Sequence, residues 1–481
     1  MKRGFWLILV MLLSCCSASA IAAPATISTF WPFYDYRASE PADYRSLHLF
    51  GPLVKYESKG FETETALRPL FYRAADAEGN SSIDVLYPLL GYRRDQETTR
   101  FHLLKLLNVD SGPGSNERNR SYLFPFLFYG EEEQGRYAAF FPFGGKLYNW
   151  FGRDRITFAL FPLYGHTERN GTHIDNVLWP FFARISGEQE TGFKLWPLYG
   201  QSRKTGVYHK RFFLWPIFFA EEDRLDSDNP EKLRAVWPFY MRKESAKVIS
   251  RTVLWPFFST VEHHDKQYRE WNAPWPLIKV MRGDAYHGLR LLPFYADETM
   301  DVSRKRWYLW PLYKIDEMDT EQIARRRDQL LYFLYSDTLE IAKDSGDTRR
   351  RIDLWPLFGY QQERGVRHLH VLSLLEPFFR ENEAIERLWA PLWRIYQQKW
   401  DRQGNHVVSL LWNLFWRERQ GDQLAWELFP LAAYRRESPE TMDFEFLKGL
   451  VHYRRNATQR QLNVLYLPWG LSWDDAVAEA E

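Results

Sequence analysis

Two groups of histidines have the residue types that bind metal ions. Glu-His-His-Asp occupies residues 262–265, and imidazole with carboxylate is a donor set that Zn²⁺ accepts. Adjacent side chains on a strand point to opposite faces, and this polar stretch predicts a turn, so the four donors do not surround one ion. His368 and His370 are two residues apart, which puts both imidazoles on one strand face. We interpret them as a hydrogen-bonded surface pair and predict no metal site and no cofactor.

Two runs of three arginines, at residues 325–327 and 349–351, flank an apolar segment around Phe333. Such clusters bind the phosphates of anionic lipid headgroups or lipopolysaccharide, and they are also typical of solvated turns. The sequence contains no Gly-rich phosphate loop, no G-x-S-x-G and no H-E-x-x-H motif. We therefore predict that the protein is not an enzyme. A formal net charge of +1 provides no basic field for nucleic acid.

Along most of the chain, a short motif of aromatic residues and proline, the aromatic-proline phrase, recurs about every 19 residues. Seven copies have the form apolar–Trp–Pro–apolar–aromatic. Their tryptophans are Trp179, Trp196, Trp215, Trp237, Trp255, Trp310 and Trp355. A fixed period indicates one small structural unit copied many times, and we count about 24 copies when degenerate ones without proline are included.

Each unit has the composition of one strand and one turn. Polar stretches such as residues 186–190 and 226–230 separate the apolar runs and are rich in turn-forming Gly, Asn, Asp and Ser. A proline in the middle of each run argues against a helix, while Phe, Trp, Tyr, Val and Ile favour a strand. We predict about 24 strands, each with a kink or bulge at its proline and apolar residues on both faces.

Successive units alternate in the pair that follows proline, as in Phe181-Phe182, Leu198-Tyr199 and Ile217-Phe218. Alternation is expected when odd and even strands run in opposite directions, and it is not expected for the equivalent coils of a parallel β-solenoid. We predict an all-β fold, an antiparallel up-and-down meander that is either closed into a barrel or wound as a repeat sheet.

The seven tryptophans occupy the same position in their units. Equal positions of neighbouring units fall side by side across a regular meander. We predict that these tryptophans form one continuous aromatic belt. The belt either packs as a purely structural ladder or serves as a binding or membrane-contact surface.

The start of the chain predicts export. Lys2 and Arg3 precede an apolar run at residues 5–13 and a stretch of small residues with A-x-A sites at 18–20 and 20–22, an order typical of secretory signals. We predict a signal peptide at 1–22 and a single β-repeat domain at 23–481. Cys15 and Cys16 either leave with the signal or Cys15 carries a lipid; cleavage at A-x-A leaves a chain without disulfides.

The spacing of the units along the chain resembles that of the strands in outer-membrane β-barrels, and aromatic residues make up 17% of the chain. The proline row and the C-terminal residues 476–481, which do not form a terminal aromatic strand, argue for a soluble repeat protein instead. We expect a non-enzymatic bacterial cell-envelope protein, outer-membrane β-barrel-like, that handles or passes a hydrophobic or envelope molecule and has membrane lipid or lipopolysaccharide as a partner. The alternative is a soluble periplasmic or surface β-repeat binding or scaffold protein.

Overall fold

The computed structural model describes residues 26–96, 98–104, 106–111, 119–379, 382–467 and 469–474. The predicted signal peptide, both cysteines and the C-terminal residues 476–481 lie outside these described residues. Export, cleavage and lipidation of Cys15 therefore stay predictions.

The described chain forms 46 strands, which we number β1 to β46 in chain order. Strands β1 to β6 are Thr26–Phe30, Tyr34–Ser39, Tyr44–Leu49, Val54–Lys59, Glu62–Leu67 and Phe71–Ala75. Strands β7 to β22 are Ser81–Val85, Leu90–Asp95, Thr98–Leu103, Leu107–Ser111, Asn119–Leu123, Leu127–Glu132, Gly135–Phe140, Gly144–Trp150, Arg153–Ala159, Tyr164–Arg169, Thr172–Val177, Phe182–Gly187, Glu190–Leu195, Tyr199–Lys204, Tyr208–Phe213 and Phe218–Asp223. Strands β23 to β38 are Glu231–Val236, Tyr240–Glu244, Val248–Val253, Phe258–His263, Tyr268–Asn272, Ile278–Gly283, Tyr286–Leu291, Tyr295–Met300, Ser303–Tyr308, Tyr313–Asp319, Ile323–Leu330, Tyr335–Ala342, Thr348–Leu354, Phe358–Glu363, Val366–Val371 and Tyr396–Trp400. Strands β39 to β46 are His406–Leu410, Phe415–Gln420, Gln423–Leu428, Ala432–Ser438, Thr441–Phe446, Val451–Arg455, Gln459–Val464 and Leu471–Asp474.

Helical structure among the described residues is limited to short segments. A π-helical turn at Ile385–Trp389 continues into α1 at Ala390–Trp393, and Leu447–Gly449 forms a 3₁₀ turn. The sequence predicts another repeat strand around Pro391, and this prediction is wrong because Pro391 lies in the first turn of α1, where its missing N–H costs no hydrogen bond. No helix of the described residues is both long enough and apolar enough to span a membrane.

The strands pair in the order of the chain, and the pairing is antiparallel. Tyr164 of β16 lies opposite Val177 of β17, which in turn lies opposite Phe182 of β18. The same pattern continues through the following strands. The predicted antiparallel meander is therefore confirmed, and the parallel solenoid is excluded.

The predicted number of strands is wrong, because the aromatic-proline phrase forms a turn and not the middle of a strand. Strand β17 ends at Val177 and β18 begins at Phe182, and Phe181 donates its backbone N–H to the carbonyl oxygen of Leu178 at 2.8 Å. The Trp179-Pro180 bond is cis, which is the arrangement of a type VI turn. Each period thus contains two strands, and the total is 46 where the sequence predicts about 24.

Polar turns join the strands at their other ends. Asn170 and Gly171 connect β16 to β17 with φ of 48° and 73°, the left-handed backbone that a tight Asn-Gly hairpin turn requires. Aromatic-proline turns and polar turns therefore alternate along the chain. Because the strands are antiparallel, the two kinds of turn lie at opposite ends of the strands.

The chain divides into two compact units, one formed by residues 79–406 and the other by residues 1–78 with 407–481. In the unit of residues 1–78 and 407–481, the hydroxyl of Thr29 on β1 donates to the carboxylate of Glu427 on β41 at 2.5 Å. Within this unit the first strands thus contact strands from the end of the chain. Strand β1 pairs with β2 and β46 with β45, and among the described residues β1 and β46 do not pair. Closure of the sheet into a barrel is not shown.

The unit of residues 79–406 contains an aromatic core and a buried polar face. Phe128, Tyr137 and Phe158 belong to a cluster of buried apolar residues between β12 and β15. Further along, a row of cross-strand partners on one face is buried and polar. Its members are Ser336, Asp353, Gly359 and His370 on four consecutive strands. The expectation of apolar residues on both faces is wrong for these strands, because the buried face carries the polar side chains of Ser336, Asp353 and His370.

Candidate functional site

Six aromatic-proline turns lie at the same end of strands β15 to β26. They are formed by residues 160–163, 178–181, 196–198, 214–217, 237–239 and 254–257. We call these turns the aromatic-proline rim. Within the rim, Trp179 donates its backbone N–H to the carbonyl oxygen of Pro162 at 2.8 Å, and Trp255 donates to Pro238 at 2.8 Å. Each turn is thereby tied to the preceding one, which extends the strand ladder beyond the strand ends.

All seven tryptophans of the predicted belt make this type of bond to the preceding turn. Their acceptors are, in chain order, Pro162, Phe181, Pro197, Ile217, Pro238, Pro293 and Leu334, at 2.6 to 2.8 Å. The ring centroids of Trp196 and Trp215 are 6.2 Å apart, and those of Trp237 and Trp255 are 6.0 Å apart. The structure thus brings these two pairs into ring contact.

The other three tryptophans contact different aromatic residues of neighbouring turns. Trp179 lies 5.6 Å from Phe161, Trp310 lies 6.2 Å from Tyr332 and Trp355 lies 5.6 Å from Phe333. Trp179, Trp215, Trp255 and Trp310 are about half exposed, whereas Trp196, Trp237 and Trp355 are half-buried. A single continuous belt of all seven tryptophans stays a prediction.

A row of apolar side chains lies directly beside the rim on one face of the sheet. Its members are cross-strand partners, one from each strand from β16 to β26. They are Tyr164, Val177, Phe182, Leu195, Tyr199, Phe213, Phe218, Val236, Tyr240, Val253 and Phe258. Apart from the half-buried Tyr199, every side chain of this apolar row is between 36% and 54% exposed. Contiguous exposed apolar patches mark surfaces that contact a partner or a membrane.

Arginines follow the apolar row at the next position of the same face. Because strand side chains alternate between faces, Arg234 lies on the face of Val236, and Arg251 on that of Val253. We call Arg184, Arg211, Arg234, Arg242 and Arg251 the arginine row. Arg234, Arg242 and Arg251 are direct cross-strand partners. Of the row, Arg242 alone has an ion-pair partner within the described residues, namely Glu244.

The histidines considered from the sequence are not assembled into a metal site. His263 ends β26 and His264 lies in the following turn. His368 and His370 lie on one face of β37 with ring centroids 5.4 Å apart, as the spacing predicts. The predicted hydrogen-bonded surface pair is wrong for His370, which is 1% exposed and whose two ring nitrogens have no hydrogen-bond partner among the described residues, whereas His368 is half-buried. Burial lowers the pKa of His368 to about 4 and that of His370 to about 2.

The two arginine runs lie in strands β33 and β35 and not in turns. Arg326 contacts Asp328 at 3.0 Å, Arg350 contacts Asp337 at 2.7 Å and Arg351 contacts Asp353 at 2.9 Å. These carboxylates already neutralise the three guanidinium groups. The runs are therefore less suited to phosphate binding than the arginine row.

Sequence reasoning missed two groups with metal-binding residue types. His166 and Glu168 of β16 lie opposite Asp175 and His173 of β17. The signal that predicts this group is the Asn170-Gly171 dipeptide, because a two-residue hairpin pairs positions at equal distances from the turn. A second group contains Asp443, Glu445 and His452.

A scan against protein-family models found no family that matches this chain. A search of curated proteins likewise found no match.

Proposed function

We propose that the protein is an exported, non-enzymatic envelope protein that contacts lipid through the aromatic-proline rim and the apolar row beside it. The observation that carries this proposal is the exposed apolar row lying between the rim and the arginine row. Tyrosine and tryptophan favour the boundary between hydrocarbon and water, since each has an apolar ring and a polar tip.

The arginine row supports an anionic lipid surface as the partner. Two residues along a strand cover about 7 Å, so guanidinium groups lie a short distance from the apolar row, at the level where headgroup phosphates follow acyl chains. Like charges directly opposite each other on neighbouring strands are destabilising. Phosphates bound between Arg234, Arg242 and Arg251 would offset this repulsion.

The form of the sheet that we propose is wound and open. The contact of Thr29 with Glu427 and the absence of pairing between β1 and β46 in the described residues support it. In this form the rim is applied to a lipid surface, or a hydrophobic molecule of the envelope is held against it. The buried polar face favours a second candidate, a soluble periplasmic scaffold, because such a sheet needs no lipid to cover it.

Vesicle binding of the chain that begins at residue 23 tests the proposal. We expect tighter sedimentation with vesicles that contain phosphatidylglycerol than with pure phosphatidylcholine. Replacing both Phe213 and Phe218 by Ser removes exposed apolar contact and is expected to weaken binding to both vesicles by at least about tenfold. The matched control is Phe61→Ser, because Phe61 is 83% exposed and belongs to a polar turn and not to the rim.

Arg234→Gln and Arg251→Gln are each expected to weaken binding to the anionic vesicles by about fivefold and to leave phosphatidylcholine binding unchanged. Equal binding of all variants would overturn the lipid-facing role. Fractionation of cell membranes separates the candidates further: presence of the protein in the membrane fraction supports the lipid contact, and its absence from that fraction favours the scaffold.

A further inference from the structure

The hairpin of β16 and β17 presents four polar side chains on one face. His166 and Glu168 come from β16, and His173 and Asp175 come from β17. The cross-strand pairs are His166 with Asp175 and Glu168 with His173. Two imidazoles and two carboxylates therefore form a square that the tight Asn170-Gly171 turn holds in register.

The spacing of the donor atoms suits one metal ion. One donor atom each of His166, Glu168 and His173 lie within 4.8 Å of one another. The Nδ1 atom of His173 is 3.9 Å from Glu168 Oε1. Donors around a tetrahedral Zn²⁺ are about 3.4 Å apart when each bond is about 2.0–2.1 Å long. Binding of one ion therefore requires the donor atoms to move closer together by up to about 1.4 Å.

Asp175 orients one of the imidazoles. The Nδ1–H of His166 donates to Asp175 Oδ1 at 2.7 Å, and this bond lowers the pKa of the Asp175 carboxyl. The bond fixes the tautomer that leaves the Nε2 lone pair of His166 free for a metal. Carboxylate–histidine–metal arrangements of this kind are the usual surroundings of zinc-binding histidines.

The group around His452 has similar residue types but a different electrostatic setting. Donor atoms of Asp443, Glu445 and His452 also lie within 4.8 Å of one another. Arg454, however, donates to Asp443 Oδ2 at 3.3 Å and brings a positive charge to the carboxylate. In the hairpin of β16 and β17, none of the four side chains has an arginine or lysine within ion-pair distance among the described residues.

We propose that His166, Glu168 and His173 bind a divalent transition-metal ion of the Zn²⁺ type, with Asp175 as the positioning residue for His166. Two histidines and one carboxylate leave a fourth position for water or for a ligand of a partner. This site lies on the same face as the apolar row and borders it, because the hydroxyl of Tyr164 donates to Asp175 Oδ1 at 3.3 Å and Arg184 lies opposite Asp175 on β18. Metal binding does not require the proposed lipid contact.

Calorimetric titration of the folded chain with Zn²⁺ near neutral pH tests the site. We expect one Zn²⁺ per chain, and a loss of affinity of at least about tenfold in His166→Ala and in His173→Ala. His452→Ala is the matched control and is expected to bind as the original chain does. Glu168→Gln provides a third ligand variant of nearly unchanged shape, and circular dichroism verifies that each variant folds.

Asp175→Asn keeps the ligands and is expected to weaken Zn²⁺ binding by about 10- to 100-fold and to shift the pH profile of binding, while Asp175→Glu restores both. The site would be overturned if the chain bound no Zn²⁺ at one per chain, or if His166→Ala and His173→Ala bound Zn²⁺ as tightly as the original chain. Unchanged binding in Asp175→Asn would overturn the positioning role of Asp175.

Discussion

The backbone N–H of Trp215 donates to the carbonyl oxygen of Pro197 at 2.7 Å, although the two residues belong to different turns of the aromatic-proline rim. The indole of Trp215 also lies 6.2 Å from that of Trp196. The repeated phrase thus supplies both the chain reversal and the contact that joins one reversal to the next.

The first prediction concerns the contribution of the rim tryptophans to the free energy of unfolding. Trp215 is 47% exposed, whereas Trp416 in β40 is 2% exposed. We expect Trp416→Ala to lower the free energy of unfolding by about 3–5 kcal/mol, because it leaves a cavity. Trp215→Ala is expected to cost about 1–2 kcal/mol, because only part of its ring leaves a packed contact. Urea unfolding followed by circular dichroism measures both. Equal costs would show that the rim is a packed core.

The second prediction concerns the buried carboxylate of Glu427, which is 2% exposed. Thr29 donates to it, and the ammonium group of Lys448 forms an ion pair with it. Lys448→Met is expected to cost about 3–5 kcal/mol, because it leaves a buried charge without its counter-ion. The control Lys243→Met removes a more exposed pair with Glu231 and is expected to cost at most about 1 kcal/mol. Similar unfolding midpoints in urea would contradict this account.

The third prediction concerns acid stability. Burial lowers the pKa of His370 to about 2, far below the value of about 6.5 expected in the unfolded chain. The unfolded chain therefore binds a proton that the folded chain does not, and the free energy of unfolding falls as the pH drops below about 6.5. His370→Gln removes this titration, so its stability is expected to decline less steeply between about pH 6.5 and pH 4. Parallel pH profiles in urea unfolding would contradict the prediction.

The fourth prediction compares two glycines at the same position of the repeat, immediately after the first residue of a strand. A Cβ on Gly359 would come within 2.4 Å of Nε2 of the buried His370, whereas a Cβ on Gly165 meets no atom within 4 Å. We expect Gly359→Ala to cost about 1–3 kcal/mol, because it displaces the imidazole. Gly165→Ala is expected to be neutral or slightly stabilising. Thermal unfolding of both variants measures the difference in stability. If Gly359→Ala costs no stability, the imidazole of His370 can move aside without cost, which would contradict the prediction.

The meander could be predicted from sequence because its evidence is periodic. The antiparallel pairing is confirmed, but the alternation between pairs such as Phe181-Phe182 and Leu198-Tyr199 is not its cause. Each period contains two strands, so Phe182 and Tyr199 begin β18 and β20, which run in the same direction. The strand number could not be predicted in the same way. A proline within a run of β-forming residues is compatible with a bulge and with a reversal, and no other residue near Pro180 distinguishes the two.

Sites that depend on cross-strand neighbours could be predicted from the sequence only where a turn fixes the register. Asn170-Gly171 is such a turn, and it places His166 opposite Asp175. The arginine row required the positions of the aromatic-proline turns, since the relation of Arg234 to Arg242 depends on where the turn at Trp237 lies. The burial of His370 depends on which face is covered, and its sequence neighbours do not determine that.

The most direct test of the lipid-facing rim uses single cysteines at the two ends of β24 in a chain without residues 1–22, which contain both native cysteines. Phe239→Cys lies in the rim, and Ala246→Cys lies in the polar turn after Glu244. Each is labelled with an environment-sensitive fluorophore and mixed with vesicles that contain phosphatidylglycerol. We expect a blue shift and protection from an aqueous quencher at position 239 and neither at position 246. Equal emission at the two positions, or protection at 246 alone, would contradict the lipid-facing role of the aromatic-proline rim.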